Sequence, residues 1–486
     1  MTDSSATAPK PAPLTPDLCV IGAGRAGLAL ASAAAAFGVP TVLIARDGMS
    51  GAGRNAGGLP SGALIAAAAQ VRALREASRF GIAAGEPQVN FAQVHDHMAR
   101  VAAALAPNAS AERFTALGVK VITGEARFRD RNSVLVGDQV IKARRFAVAT
   151  GSRPAIPAIV GLEELAILSE DSIATLTRCP DRLIVLGGEP AAIALAQAMQ
   201  RLGSVVTIVA AQGLLPGEDP EAVGLIRRAL LREGVTLHEE TKVLRAETAA
   251  KGRVRLVLAG EPEHIVEGTH LLVTAREPDL AALDLELGGI TSDAAGITVS
   301  TGLRTSNRRV YAIGACAGGA PGGLQAPHVA DHHASLVLRR ALFRQPARLG
   351  AAVIPRIVQS DPALASVGLT EAQARAKSPA INVLRWPYAE SDKAQAERKT
   401  EGFVKLVTDK KGRILGVTIA GAQAAELILP WSMAIQKGFD VKEMAGFVMP
   451  SPAFSEISAR AATSFFAPLA AKPGLRRLIG FLRRFG

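Results

Sequence analysis

A glycine-rich turn between an apolar segment and an alanine-rich segment constrains this chain most strongly. The apolar run 18–21 is typical of a buried parallel strand, and the alanine-rich run 26–37 predicts a helix. Gly22, Gly24 and Gly27 lie between them at the spacing of a dinucleotide-binding turn. The first glycine permits the tight turn, the second lets the backbone approach a pyrophosphate, and the third lets helix and strand pack closely. The turn therefore predicts a β-α-β unit with a pyrophosphate site at its helix N-terminus.

The second strand of this unit, 39–44, is not followed by the usual acidic residue. In such sites a carboxylate about 20 residues beyond the glycines binds the ribose hydroxyls. Ala45 stands at that position, Arg46 follows it, and Asp47 comes two residues too late but is an alternative carboxylate. The sequence therefore predicts a nucleotide site whose ribose end is altered, with Arg46 among its residues.

The composition fits a multidomain α/β protein and disfavours several other classes. The 486 residues are 49% hydrophobic and include 47 glycines and 28 prolines, which suits roughly two to four domains. No apolar run reaches the roughly 18 residues of a membrane span. The three cysteines are far apart, which predicts a cytoplasmic protein without a metal site. The net charge of +12 comes without basic runs interleaved with aromatics, so nucleic acid is a disfavoured partner.

A second glycine-rich segment, 49–64, reads M-S-G-A-G-R-N-A-G-G-L-P-S-G-A-L. It resembles the redox segment of the FAD-dependent pyridine nucleotide–disulfide oxidoreductases, the group of dihydrolipoamide dehydrogenase and mercuric reductase. The residues that match the family pattern are Gly51, Asn55, Gly57, Pro60 and Ser61. Gly53 and Gly58 replace the two redox cysteines of the family, and Gly62 replaces the lysine beside its flavin.

Two further segments resemble flavin signatures of the same family. The segment 145–154 reads R-F-A-V-A-T-G-S-R-P, which implies that Thr150 and Gly151 lie near the adenosine half of FAD. The segment 311–316 reads Y-A-I-G-A-C; Gly314 matches, but Ala315 replaces the aspartate that holds the ribityl chain. His328 occupies a usual histidine position of the family helix that begins under the flavin ring. We interpret Cys316 as a small buried hydrophobe rather than a reactive thiol.

The segment 182–209 resembles the NAD(P)H-binding unit of the family, but its phosphate loop is altered. Its three glycine positions fall on Gly187, Glu189 and Ala192. A carboxylate at the second position fills the space of the pyrophosphate and repels it. Ala194 replaces the glutamate that pairs with the family lysine, and Ala210 replaces the acidic residue after the second strand. The sequence therefore disfavours NAD(P)H binding at this loop.

The C-terminal third resembles the dimerisation domain of the family. The segments 354–371 and 402–419 match, with a hairpin turn predicted at 409–412. The catalytic His-Pro-Thr-x-x-Glu pattern of the family falls on 451–456, where Ser451 replaces the histidine and Glu456 is kept. Serine does not titrate near neutral pH and cannot replace histidine as an acid–base group. We therefore predict that Glu456 holds structure rather than chemistry.

The last residues extend beyond the family pattern. At helical spacing Leu475, Leu478, Ile479 and Leu482 share one face, and Arg476, Arg477, Arg483 and Arg484 share the other. Two interpretations stay open for 474–486. A basic amphipathic helix can lie on an anionic membrane surface, or it can pack against its own chain or a partner.

The resemblance runs from about residue 16 to 465 and implies an α/β fold with two Rossmann-like domains and a C-terminal α+β dimerisation domain. A homodimer follows from it. The predicted parts are a disordered lead (1–15), an FAD-binding domain (16–155 and 286–350), an NAD(P)-binding-like domain (156–285), a dimerisation domain (351–465) and a basic amphipathic tail (466–486). The predicted FAD-binding residues are Gly22, Gly24, Gly27, Arg46, Gly51, Asn55, Thr150, Gly151, Gly314, Ala315 and His328. No catalytic residue and no metal ligand is predicted.

Three functions stay open at this stage. The first is an FAD-dependent oxidoreductase that lacks thiol–disulfide exchange and passes electrons to a non-thiol acceptor, such as a quinone. The second is a catalytically silent homologue that serves as a dimeric scaffold or binds a partner protein. The third is a protein that binds a nucleotide or small molecule without redox chemistry. The expected location is the cytoplasm, with the inner face of the membrane as the alternative through the tail.

Overall fold

A computed structural model describes residues 11–46, 49, 59–318, 326–350, 353–470 and 472–485. The chain forms two compact units. Unit 1 comprises residues 1–158, 162–179 and 272–350, and unit 2 comprises 159–161, 180–271 and 351–486. Both contain helices and strands, as expected for an α/β protein.

The strands of the described residues are short and are numbered in chain order. They are β1 (Leu18–Ile21), β2 (Thr41–Ala45), β3 (Lys120–Thr123), β4 (Ala126–Asp130), β5 (Ser133–Val136), β6 (Gln139–Ile141), β7 (Arg145–Val148), β8 (Ser152–Pro154), β9 (Ile167–Leu168), β10 (Arg182–Leu186), β11 (Val205–Ala210), β12 (Thr236–Glu239), β13 (Val243–Ala249), β14 (Arg253–Leu258), β15 (His264–Gly268), β16 (His270–Val273), β17 (Arg276–Pro278), β18 (Ser292–Asp293), β19 (Gly296–Thr298), β20 (Val310–Ala312), β21 (Ala317–Gly318), β22 (Arg356–Val358), β23 (Ala363–Gly368), β24 (Ile381–Pro387), β25 (Phe403–Asp409) and β26 (Ile414–Gly421).

The α-helices are numbered in the same way. They are α1 (Arg25–Ala36), α2 (Leu59–Glu76), α3 (Phe91–Leu105), α4 (Ala111–Ala116), α5 (Pro190–Arg201), α6 (Pro220–Arg232), α7 (Pro327–Ala341), α8 (Glu371–Lys377), α9 (Asp392–Ala396), α10 (Ala424–Lys437), α11 (Val441–Gly446), α12 (Ser455–Thr463), α13 (Ala467–Ala470) and α14 (Pro473–Leu482). None of these helices is long and apolar enough to cross a membrane.

The central sheet of unit 1 has the strand order β20-β7-β1-β2-β3 and is parallel throughout. All residues of β1 and β2 are buried, because helices and sheet layers cover parallel strands on both faces. Cys19 lies between Val42 and Phe146 in this register. The predicted strand 18–21 is confirmed, and the predicted helix begins one residue earlier, at Arg25. Since the strands are parallel, the segments that follow them meet at one edge of the sheet.

Unit 2 contains a parallel group, β10-β11-β12, and an antiparallel sheet of order β22-β23-β26-β25-β24. Helices α10 and α12 pack on the antiparallel sheet, where Trp431 and Tyr388 are fully buried. The Trp431 indole donates a hydrogen bond to the Ser458 hydroxyl at 3.2 Å. Strands β25 and β26 form the predicted hairpin, in which the Gly412 amide donates to the carbonyl of Asp409.

A buried lysine links two parts of unit 2. Lys405 is only 6% exposed, and its ammonium lies 2.9 Å from carboxylate oxygens of both Asp219 and Glu221. Burial lowers the pKa of Lys405, but hydrogen bonds to these carboxylates outweigh it, and the net pKa is raised. Removal of a partner from a buried pair costs about 3–5 kcal/mol, so these groups fix α6 on β25.

Candidate functional site

The first glycine turn follows β1 and needs two of its glycines for packing alone. Gly22 has a φ of +112°, and a Cβ there would overlap the carbonyl oxygen of Ala149. A Cβ on Gly27 would overlap the carbonyl oxygen of Gly22. Both positions therefore require glycine whether or not a ligand binds.

Gly24 differs, because protein packing does not explain it. It is the N-cap residue of α1, with φ −76° and ψ 178°, which any residue can adopt. Outside its own turn and helix, the nearest described atom to a Cβ at Gly24 is the Ala149 carbonyl oxygen, at 3.9 Å. The space in front of Gly24 is thus open toward a ligand, as a pyrophosphate that contacts the backbone requires.

The first glycine turn lines a cleft of about 1130 Å³ in unit 1. The cleft follows the C-terminal ends of the parallel strands, and it includes Arg46 after β2, the segment 149–154 after β7 and the segment 313–315 after β20. The N-termini of α1 and α7 also line it. This volume exceeds the roughly 300–1,000 Å³ of drug-sized pockets, so the cleft suits an extended ligand such as a dinucleotide.

Thr150 and Gly151 lie on the cleft wall directly after β7. The hydroxyl oxygen of Thr150 is buried and has no hydrogen-bond partner of normal geometry among the described residues. Its polar neighbour is the Cys316 thiol. Gly151 has a φ of +73°, which favours glycine, and its carbonyl accepts a hydrogen bond from the Asp279 amide. Because this hydroxyl oxygen has almost no accessible surface and lies beside the buried Cys316 thiol, it is enclosed by protein and does not face the cleft.

The part of the cleft beside the end of β2 contains an ion pair that joins two distant segments. Arg46 and Asp279 contact each other at 2.9 Å, and the Asp279 side chain is only 12% exposed. Ala45, at the end of β2, is buried and offers no acceptor. A carboxylate is therefore present beside this strand end, but the segment after β17 supplies it.

The segment 313–315 also lines the cleft, and a histidine holds its backbone. The Gly314 amide donates a hydrogen bond to Nδ1 of His333 at 3.1 Å. His333 is 3% exposed, and burial, with a smaller effect from His332, lowers its pKa to about 4. His333 is thus neutral near pH 7 and accepts this hydrogen bond. Ala315 lines the cleft without a polar side chain.

The predicted residues Gly51 and Asn55 lie outside the described residues, as do positions 53 and 58 of the redox segment. His328 is the second residue of α7 and is partly exposed. It is not among the residues that line the cleft, although its neighbours Ala326 and Pro327 are.

Cys316 is fully buried behind the cleft wall, and its thiol donates to the carbonyls of Val148 and Ile313 at 3.4 and 3.3 Å. Burial raises its pKa, so the thiolate form is disfavoured. The residue packs as the small hydrophobe that the sequence predicts.

The second glycine loop, in unit 2, follows β10 with the backbone course of the first. Gly187 has a φ of +140°, and Glu189 is the N-cap residue of α5 with φ −77° and ψ 167°. The carboxylate oxygens of Glu189 lie 2.5 and 2.7 Å from where a Cβ on Gly187 would be. The carboxylate is therefore folded over the turn. Pro190 follows and has no N–H group to offer a phosphate.

At the C-terminal candidate positions, Ser451 is exposed and Glu456 lies in the first turn of α12. One oxygen of the Glu456 carboxylate is buried and has no hydrogen-bond partner of normal geometry among the described residues. Groups of three or more His, Cys, Asp or Glu side chains able to hold a metal ion are absent from the described residues.

Family models match nearly the whole chain. The model described as pyridine nucleotide-disulphide oxidoreductase matches residues 16–334, and the model of the dimerisation domain of that group matches residues 354–462. The chain belongs to the pyridine nucleotide–disulphide oxidoreductase family. This family consists of oxidoreductases that are flavoproteins, and its dimerisation domain is present here.

Curated relatives of the family resemble this chain along its length. A mercuric reductase of Streptomyces lividans is 31% identical over 467 residues, which cover 93% of this chain and 97% of the relative. A dihydrolipoyl dehydrogenase of Bacillus subtilis is 32% identical over 460 residues, covering 93% and 96%. Relatives of both types, a mercuric reductase and a dihydrolipoyl dehydrogenase, therefore match this chain along most of its length.

Solved structures of the family share the fold. LpdA from Mycobacterium tuberculosis has a TM-score of 0.81 at 26% identity and covers 93% of this chain and 99% of its own. The Cu(II) complex of the HOCl-induced flavoprotein disulfide reductase RclA from Escherichia coli has a TM-score of 0.80 at 24% identity, with the same coverage. The predicted fold class is thus confirmed.

Two residues that shape the cleft are not predicted from the sequence: Asp279 lines it, and the buried His333 lies outside its lining. Asp279 ends the segment 271–279, L-L-V-T-A-R-E-P-D, which resembles a closing segment of the family, but nothing in the sequence places it beside Arg46. His333 lies in the segment 326–334, where its neighbour His328 carries the family match. Both residues contact segments that are distant in the sequence. The only local signal for Asp279 is that it is a carboxylate just after a short strand.

Proposed function

We propose that this protein is an FAD-binding oxidoreductase that works without thiol–disulfide exchange and passes electrons to a non-thiol acceptor such as a quinone. Gly24 is the observation that carries the proposal. It is a glycine that neither its backbone conformation nor protein packing requires, at the N-terminus of a helix that lines the cleft. A ligand phosphate that approaches the backbone accounts for it.

The residues of the cleft fit FAD in most respects. FAD, when bound, would supply electron-transfer chemistry through its ring system. The N-terminus of α1 would hold the pyrophosphate, Arg46 and Asp279 would border the adenosine ribose, and Thr150 and Gly151 would form the wall beside the adenosine. The other residues that we propose for this site are Gly22, Gly27, Gly51, Asn55, Gly151, Gly314, Ala315 and His328. Ala315 provides no acceptor for a cofactor hydroxyl, a loss of about 1–3 kcal/mol.

The absence of thiol–disulfide exchange is proposed from the chemistry that it needs. The reaction requires a thiolate, a second sulfur and a base. Gly53, Gly58 and Ser451 stand at the three family positions. Elsewhere in the chain, Cys19 and Cys316 are fully buried, and burial raises the pKa of both thiols. Cys179, the third cysteine, has no neighbouring cysteine in the sequence.

In this proposal the electron donor does not bind at the second glycine loop. The Glu189 carboxylate is folded over the turn where a dinucleotide phosphate would lie, and its charge would repel that phosphate. A non-nucleotide donor with a reduction potential below that of the quinone acceptor is consistent with this loop. NADH and NADPH are the competing donors.

We also propose a homodimer formed through the dimerisation domain. A quinone acceptor dissolves in the membrane, and the tail 474–486 is the segment that would bring the protein to the inner membrane surface from the cytoplasm.

The test is an absorption spectrum of the purified native protein, followed by anaerobic addition of NADH or NADPH and, in a separate sample reduced with dithionite, of an oxidised quinone. The proposal expects near-stoichiometric flavin that bleaches only slowly with either nucleotide and that, once reduced, is reoxidised by the added quinone. Flavin that no donor reduces would favour the silent scaffold, for which the loss of both cysteines and the histidine argues. A colourless protein that binds a nucleotide would favour the non-redox binding protein. Rapid turnover with a dithiol would contradict the absence of thiol chemistry.

A further inference from the structure

The C-terminal helix α14 exposes an unusual concentration of large apolar side chains. Every described residue from 472 to 485 is exposed. The large hydrophobic residues in this segment, with their exposed fractions, are Leu475 (36%), Leu478 (51%), Ile479 (49%), Phe481 (54%), Leu482 (54%) and Phe485 (74%). Scattered exposed hydrophobics are ordinary, but a contiguous apolar patch marks an interaction surface.

The apolar and basic residues of this segment occupy separate faces. At about 100° per residue, the six apolar side chains fall within one arc of roughly 160°. The residues of the opposite arc include Arg476, Arg477, Arg483 and Arg484. Phe481 and Phe485 pack edge to face, with ring centroids 5.0 Å apart, and extend the apolar arc beyond the end of the helix.

The sequence around α14 is basic, and no neighbouring acidic residues balance its positive charge. After Glu456 the chain has no acidic residue to its end, whereas it has six basic ones: Arg460, Lys472, Arg476, Arg477, Arg483 and Arg484. Five of the six lie within 472–484. A partner of this surface must therefore combine negative charge with an apolar layer at the depth of the leucine side chains.

We propose that α14 docks this protein onto the surface of a membrane that contains anionic lipids. Lipid headgroups and phosphates would pair with the arginines at the polar boundary, while the apolar arc lies at the level of the upper acyl chains. The helix has 10 residues, about half of the roughly 20 needed to span a bilayer. It therefore lies in the plane of the surface. This inference does not depend on FAD or on the proposed activity.

Vesicle sedimentation of the purified full-length protein tests the proposal. The probes are vesicles of phosphatidylcholine alone and vesicles with one quarter phosphatidylglycerol. We expect the protein to sediment with the anionic vesicles at least about tenfold more strongly than with the zwitterionic ones. Raising the salt concentration from 0.05 to about 0.5 M should weaken this binding, because the Debye length falls.

Two double variants separate the two faces of α14. In L478E/I479E the apolar arc is interrupted, and in R476E/R477E the charge of the polar arc is reversed. Both should bind anionic vesicles at least about tenfold more weakly than the wild type. The matched control is Ile265→Glu, on β15 of the same unit, where an isoleucine that is 60% exposed lies outside any basic helix. The control should bind as the wild type does, and unchanged thermal melting would show that each variant folds.

Several results would overturn the proposal. These are no sedimentation with anionic vesicles, equal binding to both vesicle types, or equal loss in the Ile265→Glu control. A change of oligomeric state in L478E/I479E with unchanged vesicle binding would assign α14 to a protein–protein interface. Any of these outcomes would remove the membrane role of the tail from the proposed function, but would leave the flavin spectrum and the proposed flavin chemistry unaffected.

Discussion

The two glycine loops have nearly the same backbone conformation, but their N-cap residues differ: one has no side chain and the other carries a carboxylate. Each follows a parallel strand with a glycine of positive φ, and each begins a helix of 12 residues at an extended N-cap. The N-cap of the first loop is Gly24, which leaves open space, and that of the second is Glu189, whose carboxylate covers the turn. The comparison shows that one loop backbone can carry either a glycine or a carboxylate that lies over the turn.

The third glycine position separates packing from ligand binding. A Cβ at Gly27 would overlap the backbone of the first turn, whereas Ala192 fits in the second unit and is fully buried. The second unit therefore accommodates a Cβ at the position where the first unit does not. Packing requires glycine at positions 22 and 27, whereas at position 24 the proposed ligand is what would require it.

Substitution at the third position should give the largest effect. We expect Gly27→Ala to lower the free energy of unfolding by about 3 kcal/mol, because the Cβ forces the backbone of the turn to move. The reverse change, Ala192→Gly, should cost about 1 kcal/mol through helix propensity alone. Denaturant titrations of both variants measure the difference. The control Gly85→Ala, where a Cβ meets no atom within 4 Å, should be near neutral; equal losses at 27 and 192 would contradict the comparison.

Low pH should lower the free energy of unfolding of unit 1, because His333 takes up a proton more readily in the unfolded chain than in the folded one. Its pKa is about 4 in the folded chain against an ordinary 6.5, so the unfolded chain takes up the proton first as pH falls. Stability from this group is complete above pH 6.5 and is lost as pH falls toward 4, by up to about 3 kcal/mol. In His333→Asn, which keeps an acceptor for the Gly314 amide but does not titrate, unfolding curves should depend less on pH over that interval. An identical pH dependence in the variant would refute the assignment.

Gly24→Glu gives the first loop the side chain of the second. We expect about 100-fold weaker FAD binding, because the carboxylate occupies and repels the pyrophosphate position. Flavin absorbance per polypeptide and titration of the apoprotein with FAD measure it. The control Gly85→Glu adds the same charge to an exposed glycine of unit 1 and should retain flavin. Full flavin content in Gly24→Glu would remove the main support for the proposed site.

Asp279→Ala should weaken FAD binding by about tenfold, if this carboxylate replaces the acidic residue missing after β2. Adding a carboxylate at the usual position, in the double variant A45E/D279A, should restore part of the loss. The control is Glu86→Ala, whose exposed carboxylate pairs with Arg75 at 2.7 Å, a pair that does not line the cleft. FAD titrations distinguish the variants, and unaltered affinity in Asp279→Ala would leave Asp279 with only its ion pair to Arg46.

Opening the second loop should give the smallest effect. We expect Glu189→Gly to improve NADPH or NADH binding by at most about tenfold, because Pro190 and Ala210 still differ from the usual pattern. Glu189→Gln removes the charge and keeps the size, so its smaller gain would separate repulsion from steric block. Fluorescence titration with each nucleotide measures both. Tight nucleotide binding by the wild-type protein would show that the carboxylate moves away.

Much of the cleft could be predicted from local sequence, but the contacts made by Asp279 and His333 could not. The strand 18–21, the glycine positions and the wall at Thr150 and Gly151 follow from short patterns, because turn geometry and strand burial act between neighbours in the chain. The ion pair of Arg46 with Asp279 joins segments far apart in the sequence. The hydrogen bond from Gly314 to His333 likewise crosses from a loop to a helix.

The sequence by itself determined the fold class, the family and the altered positions, because these depend on residue types at fixed spacings. It also determined the amphipathic pattern of the tail. Only the tertiary structure decided that Gly24 faces open space, that the Glu189 carboxylate folds over its own turn, and that α14 leaves its apolar face exposed. These outcomes depend on which atoms lie within a few ångströms of each other, and chain spacing does not specify that.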